Sequence, residues 1–322
     1  MKLLTVCIPC HNSIIEMHKA ITSCLLMKEE VQVLVVDRNS HDETLEVAKE
    51  YEKAYPNTVK VVTTKDSVPF LKVALEHSEG LYFKVLQCYD YLDQPSLVSV
   101  VETIRDFIRI QANLDILFTD YKYSIPQEKE KRISYRKVFP TETIFEWHNV
   151  KSFHKYFQVD LAAIVIKTST LKKVKDSHDS NICNELMIYG TIPYIKSMYY
   201  LEVPFHCYGS KRKISLDKVD HYVELMKGLW EFYDIYSLKS RRQRIYVVEY
   251  LVKIYVITMY LLLKNNREED SELLNAYLAF SNPRLYKAIN RRLYGMSFNT
   301  KYKTLNEMLI KLVERVYDFE TE

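Results

Sequence analysis

The chain has 322 residues, a formal net charge of +3, and 48% hydrophobic and 27% charged residues. That length holds one large domain or two ordinary ones. The composition excludes a disordered or fibrous chain, and so small a charge gives no electrostatic reason to expect a nucleic-acid partner.

The first hundred residues alternate short apolar runs with helix-like segments. Residues 4–8 read as a buried strand, 13–27 as a helix, and 31–36 as a second strand ending in Asp37. Asp42 is placed to cap a helix over 42–55, with Glu43 at its positive end. Pro56 and Asn57 stop that helix. A strand over 59–63, a helix over 68–79 closed by Gly80, a strand over 81–86 and a helix over 95–110 complete the series. Short strands separated by helices predict an α/β fold with a mostly parallel sheet covered on both faces. Asp37, where a strand meets a loop, is then at the sheet's carboxyl edge, the edge at which ligands bind in open α/β folds.

Further strands are expected at 115–123, 134–139, 160–166 and 192–203, with a charged turn at 127–132 and a helix from Ser169. From about residue 217 the pattern is helical, with candidates at 226–236, 240–263, 268–280, 283–294 and 303–319. The expected organisation is an α/β domain over 1–215 and a C-terminal helical region over 216–322. The longest apolar run, 245–263, carries Glu249 and Lys253. Charges in that position favour a buried or interfacial helix over a membrane span. Tyr255 and Tyr260 are expected on an exposed apolar face of this tail.

Six cysteines are scattered along the chain, which fits reduced thiols in the cytosol. Cys7 and Cys10 form a C-x-x-C, but no second Cys or His pair has ligand spacing, so packing is the expected role. Glycine is scarce, at 5 residues, although phosphate-binding loops usually use it.

Val6, Ile8, Pro9 and Asn12 in the first segment are followed in order by Val35-Val36-Asp37 with Ser40, Asp42 and Thr44, by Gly80 and Tyr82, and by Tyr91-Leu92-Asp93. In this order and spacing the motifs resemble the GT-A fold of family-2 glycosyltransferases. The likeness is good over roughly residues 3–120 and looser through 200 and the helical tail. That tail is similar to those of bacterial enzymes that assemble capsule or exopolysaccharide. The resemblance implies a nucleotide-sugar donor, such as a UDP-sugar, and a glycan or lipid-linked acceptor. It implies that Asp37 hydrogen-bonds the base, that Pro9, His11 and Asn12 border the nucleoside, and that Lys72 stands where a basic residue reaches the nucleotide. Asp37 also reads as a helix-capping residue, His11 as a strand cap and Lys72 as a solvated helix residue.

The family's metal-binding D-x-D-D segment aligns with Gln87-Cys88-Tyr89-Asp90. Only Asp90 keeps a carboxylate, so a weak or absent magnesium or manganese site is expected. Lys211, Arg212 and Lys213 offer an alternative charge for the diphosphate, or a solvated basic loop. The position matching the catalytic base holds Asn184, which cannot take a proton, and the adjacent Glu185 is the candidate base. Asn39 replaces the glycine of the family's D-G-S turn. The basic cluster Lys239, Arg241, Arg242 and Arg244 precedes a long apolar helix, as in helices that lie on anionic membranes, although helices of an ordinary bundle look the same.

Two functions are therefore expected as alternatives. One is a cytoplasmic glycosyltransferase at the inner face of the membrane. The other is a catalytically degenerate pseudoenzyme that binds an active glycosyltransferase partner or a second copy of itself.

Overall fold

The computed structural model describes residues 1–65, 67–124, 129–151, 159–177, 184–209 and 214–297. Two compact units are present: residues 1–151 with 159–211, and residues 152–158 with 212–322.

The first unit opens with β1 (Leu4–Cys10), α1 (Ile14–Cys24), β2 (Val31–Asp37), α2 (Thr44–Ala54), β3 (Val59–Thr63), α3 (Phe70–His77) and β4 (Tyr82–Val85). Then come β5 (Tyr91–Leu92), α4 (Gln94–Arg109), β6 (Ile116–Tyr123), β7 (Lys131–Ile133), β8 (Ile144–Phe145), β9 (Ile164–Lys167), α5 (Thr168–Ser177), α6 (Asn184–Tyr189) and β10 (Met198–Tyr208). One sheet joins these strands in the order β3-β2-β1-β4-β9-β6-β10-β5, with β7 on β6 and β8 on β10. Strands β3, β2, β1 and β4 are parallel, β9 runs against both neighbours, and β10 is parallel to β6. This is the mixed α/β sheet flanked by helices of a GT-A-like fold.

Every residue of β1 and β2 is buried, as expected of parallel strands covered on both faces. Val6, Ile8, Cys10, Val33 and Val35 join one core cluster with Met17, Ala20, Ala48, Leu97 and Val101 of α1, α2 and α4. The register is pinned by a polar clasp at the strands' amino ends. Thr5 Oγ1 donates to Gln32 Oε1 at 2.7 Å and accepts the Gly80 N–H at 2.8 Å, while Gln32 Oε1 also accepts the Glu79 N–H at 2.9 Å. A Cβ on Gly80 would stand 2.3 Å from the Thr5 nitrogen and 2.6 Å from the Leu4 carbonyl carbon. The glycine that closes the α3 region is thus required by a close backbone approach.

Element ends differ from the sequence expectations where side chains intervene. The stretch read as a strand at 134–139 turns back instead, with the Val138 and Phe139 N–H groups both donating to the Tyr135 carbonyl. The strand lies earlier, in β7, overlapping the end of the stretch expected to be a charged turn, because Arg132 pairs there with the buried Asp120 at 2.6 Å. Asp160 does not start a strand. Its side chain accepts the Ala162 N–H and caps a single turn over Leu161–Ala163 before β9. Residues 192–194 likewise form one turn, and β10 runs on to Tyr208, accommodating Pro204 by a register shift against β6. Asp42 precedes α2 rather than capping it, accepting the Thr44 N–H at 3.0 Å.

The second unit contains α7 (Val219–Phe232), α8 (Arg241–Lys264), α9 (Glu268–Ser281) and α10 (Pro283–Ser297). α7 begins seven residues before the expected start. The helix expected at 303–319 lies outside the described residues. Ser240 caps α8, its hydroxyl accepting the Gln243 N–H. α8 is long and apolar enough to cross a membrane, but 83% of its most apolar window is buried. Glu249, 8% exposed, is ion-paired with Arg292 of α10. Tyr255 and Tyr260, expected on an exposed face, are 3% and 4% exposed. The Tyr255 hydroxyl donates to Asn275 of α9 at 2.7 Å, and Thr258 donates to the Tyr222 carbonyl of α7. The aromatic residues of α8 are interior because three helices pack around it.

Gly80→Ala should destabilise the protein by about 2 kcal/mol, since the methyl meets backbone that cannot move aside. Urea unfolding measures this, and Ser78→Ala serves as a control with little effect.

Candidate functional site

The carboxyl edge of β1 and β2 forms the best-defined polar corner of the first unit. The parallel register places Cys10 beside Asp37 and Asp37 beside Thr63. Asp37 is 2% exposed. Its Oδ2 accepts the Ser40 N–H at 3.2 Å, and its main-chain carbonyl accepts the Thr64 N–H at 2.8 Å. Its Oδ1 is buried with no hydrogen-bond partner among the described residues. An unpaired buried carboxylate oxygen carries a desolvation penalty that a donor from a ligand would relieve.

The surrounding loops are held tightly. Asn39 has φ +56° and Asn12 φ +48°, a left-handed conformation that asparagine tolerates better than most residues. Asn39 therefore fills the backbone role of the missing glycine. The Asn12 N–H donates to Ser40 Oγ at 3.1 Å, and Asn12 Oδ1 accepts the His41 N–H at 2.9 Å. His11 Nδ1 lies 2.7 Å from the Arg38 carbonyl, and its ring meets that of His41 edge-on at 6.4 Å. Pro9 is buried within β1, whereas His11 and Asn12 are exposed. Four of the expected nucleoside residues thus share one corner, with the polar groups of His11 and Asn12 tied into its loops.

The turn after β4 holds Gln87, Cys88, Tyr89 and Asp90. Asp90 is fully buried and faces inward, its Oδ2 3.0 Å from His206 Nε2 and its Oδ1 accepting the Gly209 N–H at 3.2 Å. A Cβ on Gly209 would stand 2.2 Å from the Tyr89 carbonyl oxygen, so the end of β10 lies directly against this turn. Tyr89 is 43% exposed. A neutral amide, a phenol and a carboxylate turned towards a histidine do not fit a magnesium or manganese site, which calls for several outward oxygen ligands. Among the described residues, no group of three or more His, Cys, Asp or Glu side chains is placed to hold a metal ion. Lys211 and Arg212, with Lys213, lie outside the described residues.

Cys88 Sγ donates to Ser13 Oγ at 3.3 Å. The neighbouring Cys10 thiol is the largest influence on Cys88, holding it down to about 7 with help from Ser13 and against burial. The same contact, then burial, pushes Cys10 well above the ordinary thiol value. The Cys10 thiol donates to the Ile8 carbonyl at 3.7 Å. Cys7 is a buried free thiol that burial raises well above its ordinary range.

The starts of α6 and α3 adjoin one another. Asn184 Oδ1 accepts the Leu71 N–H at 3.0 Å, capping α3, whose own N-cap residue, Pro69, makes no side-chain cap. Residues 113 positions apart are thereby joined, which places the first turn of α6, with Glu185, against the start of α3, with Lys72. Both side chains are partly exposed. The capping role of Asn184 was hidden in the sequence because it depends on a long-range contact.

Comparison with known proteins bears on the fold. Residues 5–75 match the sequence profile Glycosyl transferase family 2. No curated protein sequence matches the chain. Among solved structures, S. aureus TarS 1-349 is similar with a TM-score of 0.59 at 14% identity, covering 98% of this chain and 92% of TarS 1-349. TarS 1-349 in complex with UDP-GlcNAc gives the same score and identity over 100% of this chain and 94% of the other. The mannosyltransferase PcManGT from Pyrobaculum calidifontis, in complex with GDP-Man and Mn2+, has a TM-score of 0.53 at 12% identity over 96% and 84% of the two chains. The protein has the fold of the GT-A glycosyltransferases, and the profile match is confined to residues 5–75.

Asn184→Ala should cost about 1 kcal/mol, the usual loss when a helix cap is removed. Asn184→Asp should keep the cap. Thermal and urea unfolding of both variants checks this.

Proposed function

We propose that the protein is a family-2-like glycosyltransferase that moves a sugar from a nucleotide-diphosphate donor to a glycan or lipid-linked acceptor in bacterial cell-surface polysaccharide synthesis. The observation that carries the proposal is the buried Asp37 Oδ1, which has no donor among the described residues and stands at the sheet edge where nucleosides bind in this fold. A ring N–H of uracil or guanine supplies the missing donor. Pro9, His11 and Asn12 shape the wall beside it, and Lys72 faces the nucleotide from the start of α3. TarS was solved with UDP-GlcNAc and PcManGT with GDP-Man, which supports a nucleotide-sugar ligand. The work would take place in the cytoplasm at the inner membrane face, where lipid-linked acceptors are found.

Glu185 is the candidate base, taking the proton of the acceptor hydroxyl as that oxygen attacks the anomeric carbon and the nucleoside diphosphate leaves. Arg212 and Lys211 would offset the charge on the departing diphosphate. The turn at 87–90 lacks the donor set for a divalent cation, so no step depends on one.

A second reading is favoured by a specific observation. Asp90 is engaged with His206 and Gly209, and Asn184 is engaged as a helix cap. Two positions that are chemical in the family serve structure here. The protein would then be a pseudoenzyme that keeps nucleotide binding and supports an active partner, or a second copy of itself.

Asp37→Ala should weaken UDP binding by about 10- to 100-fold, the worth of a hydrogen bond to a charged group. In calorimetry, a chelator should leave the wild-type affinity unchanged. UDP binding that collapses without manganese would show that the 87–90 turn holds a cation after all. For an active transferase, Glu185→Gln should lower sugar transfer by about 10²- to 10⁴-fold with donor affinity nearly intact. Wild-type protein that binds UDP yet transfers no sugar to any acceptor fraction favours the pseudoenzyme.

A further inference from the structure

Charge is divided between the two ends of the helical second unit. α7 and α9 run the same way, since Arg267, which precedes α9, pairs with Asp220 of α7 at 2.7 Å, and Tyr277 late in α9 donates to Glu231 late in α7. α8 runs against them, its Thr258 donating to the Tyr222 carbonyl in the first turn of α7. The end of α7, the start of α8 and the end of α9 therefore share one end of the bundle. The first turn of α10 is there too, with the Arg284 guanidinium 5.7 Å from the ring of Tyr236, between α7 and α8.

This end is basic. Lys239, Arg241, Arg284 and Lys287 are exposed on it, and neither α8 nor α10 has an acidic residue in its first turn. Its acids are engaged locally: Glu231 accepts the Tyr277 hydroxyl, and Asp234 accepts the Tyr236 N–H at 3.0 Å. The opposite end is acidic, with Asp217 and Glu272 exposed and Glu268, Glu269 and Asp270 in the first turn of α9. The basic end also presents two exposed aromatic side chains, Phe280 in the last turn of α9 at 90% and Tyr236 at 57%. Because most of the apolar window of α8 is buried, this end suits contact with a membrane surface and not a span.

We propose that this end of the second unit docks on an anionic lipid bilayer, with Lys239, Arg241, Arg284 and Lys287 against the headgroups and Phe280 and Tyr236 entering the interface. Aromatic rings ringed by cations match that layer, where negative headgroups meet the start of the acyl region. Each basic side chain close to such a surface strengthens binding about fivefold. Four of them with two rings give a reversible, salt-sensitive attachment.

The contact rests on the second unit alone and does not depend on the nucleotide reading above. It gives a physical basis for the membrane-face location of a lipid-linked acceptor.

The test sediments the full chain with vesicles of phosphatidylcholine alone or mixed with phosphatidylglycerol. The protein should bind the mixed vesicles and not the neutral ones, and salt at about 1 M, where the Debye length is about 3 Å, should weaken the binding. Combining Arg241→Glu, Arg284→Glu and Lys287→Glu should lower affinity by at least about 100-fold, from about fivefold or more for each charge. The same charge change on the first unit, by Lys49→Glu, Lys53→Glu and Arg109→Glu, should have a much smaller effect. Trp147 and Trp230 are buried, so a Phe280→Trp variant reports on the interface. Its fluorescence should shift to the blue on mixed vesicles and be quenched by brominated acyl chains. That readout also decides the matter if the triple variant fails to fold. A wild-type chain that ignores the mixed vesicles, whether or not it binds RNA or an acidic protein, would overturn the lipid assignment. Equal losses from the two triple variants would assign the binding to net charge and not to this end. Vesicle binding without any change in the Phe280→Trp fluorescence would overturn the aromatic contact.

Discussion

The parallel register of β1, β2 and β4 is the constraint on which the candidate site depends. A slip of one residue along a strand sends every side chain to the opposite face. Asp37 would then leave the face it shares with Cys10, Val33 and Val35. The clasp of Thr5, Gln32 and Gly80 fixes this register from the amino ends of the strands, far from the ligand edge. The loops at the carboxyl end are then free to serve a ligand. Their left-handed asparagines, and the ties of Asn12 to Ser40 and His41, hold the opening in shape before anything binds. Preorganisation of this kind lowers the ordering cost of binding.

The second half of the sheet has used its carboxylates differently. Asp120 is buried against Arg132 and the Tyr200 hydroxyl, Asp160 accepts the Tyr208 hydroxyl, and Asp90 meets His206. Each is engaged in joining strands or turns. The carboxyl ends of β6 and β10 are correspondingly aromatic, with Tyr123 stacked on Tyr208 and Tyr121 edge-on to Tyr208. The corner at Asp37 thus keeps an acceptor without a partner among the described residues, while the acids around the later strands are tied into the scaffold. This contrast separates donor binding from sugar transfer and gives the two functional readings their different weights on the same fold.

The α/β series of residues 4–110 was legible because parallel strands covered on both faces are continuous apolar runs, and because Pro56, Gly80 and the 91–93 segment mark the breaks. Asp37 was legible as an edge residue for the same reason. The strands after 115 were less so. β7 is exposed and polar and exists through an ion pair between Arg132 and Asp120, which no local pattern reveals. The capping of α3 by Asn184 also depends on a residue distant in sequence. Tyr255 and Tyr260 were misplaced because an amphipathic surface helix and the central helix of a bundle have similar composition, and only the packing of α7, α9 and α10 around α8 distinguishes them.

The central claim is that the edge at Asp37 receives a nucleotide base. A crystal structure of the protein soaked with UDP tests it most directly. The account predicts a base nitrogen about 3 Å from Asp37 Oδ1, with the ribose beside His11 and Asn12 and the diphosphate directed towards the turn at 87–90. Nucleotide bound elsewhere, with Asp37 Oδ1 still lacking a donor, would contradict it.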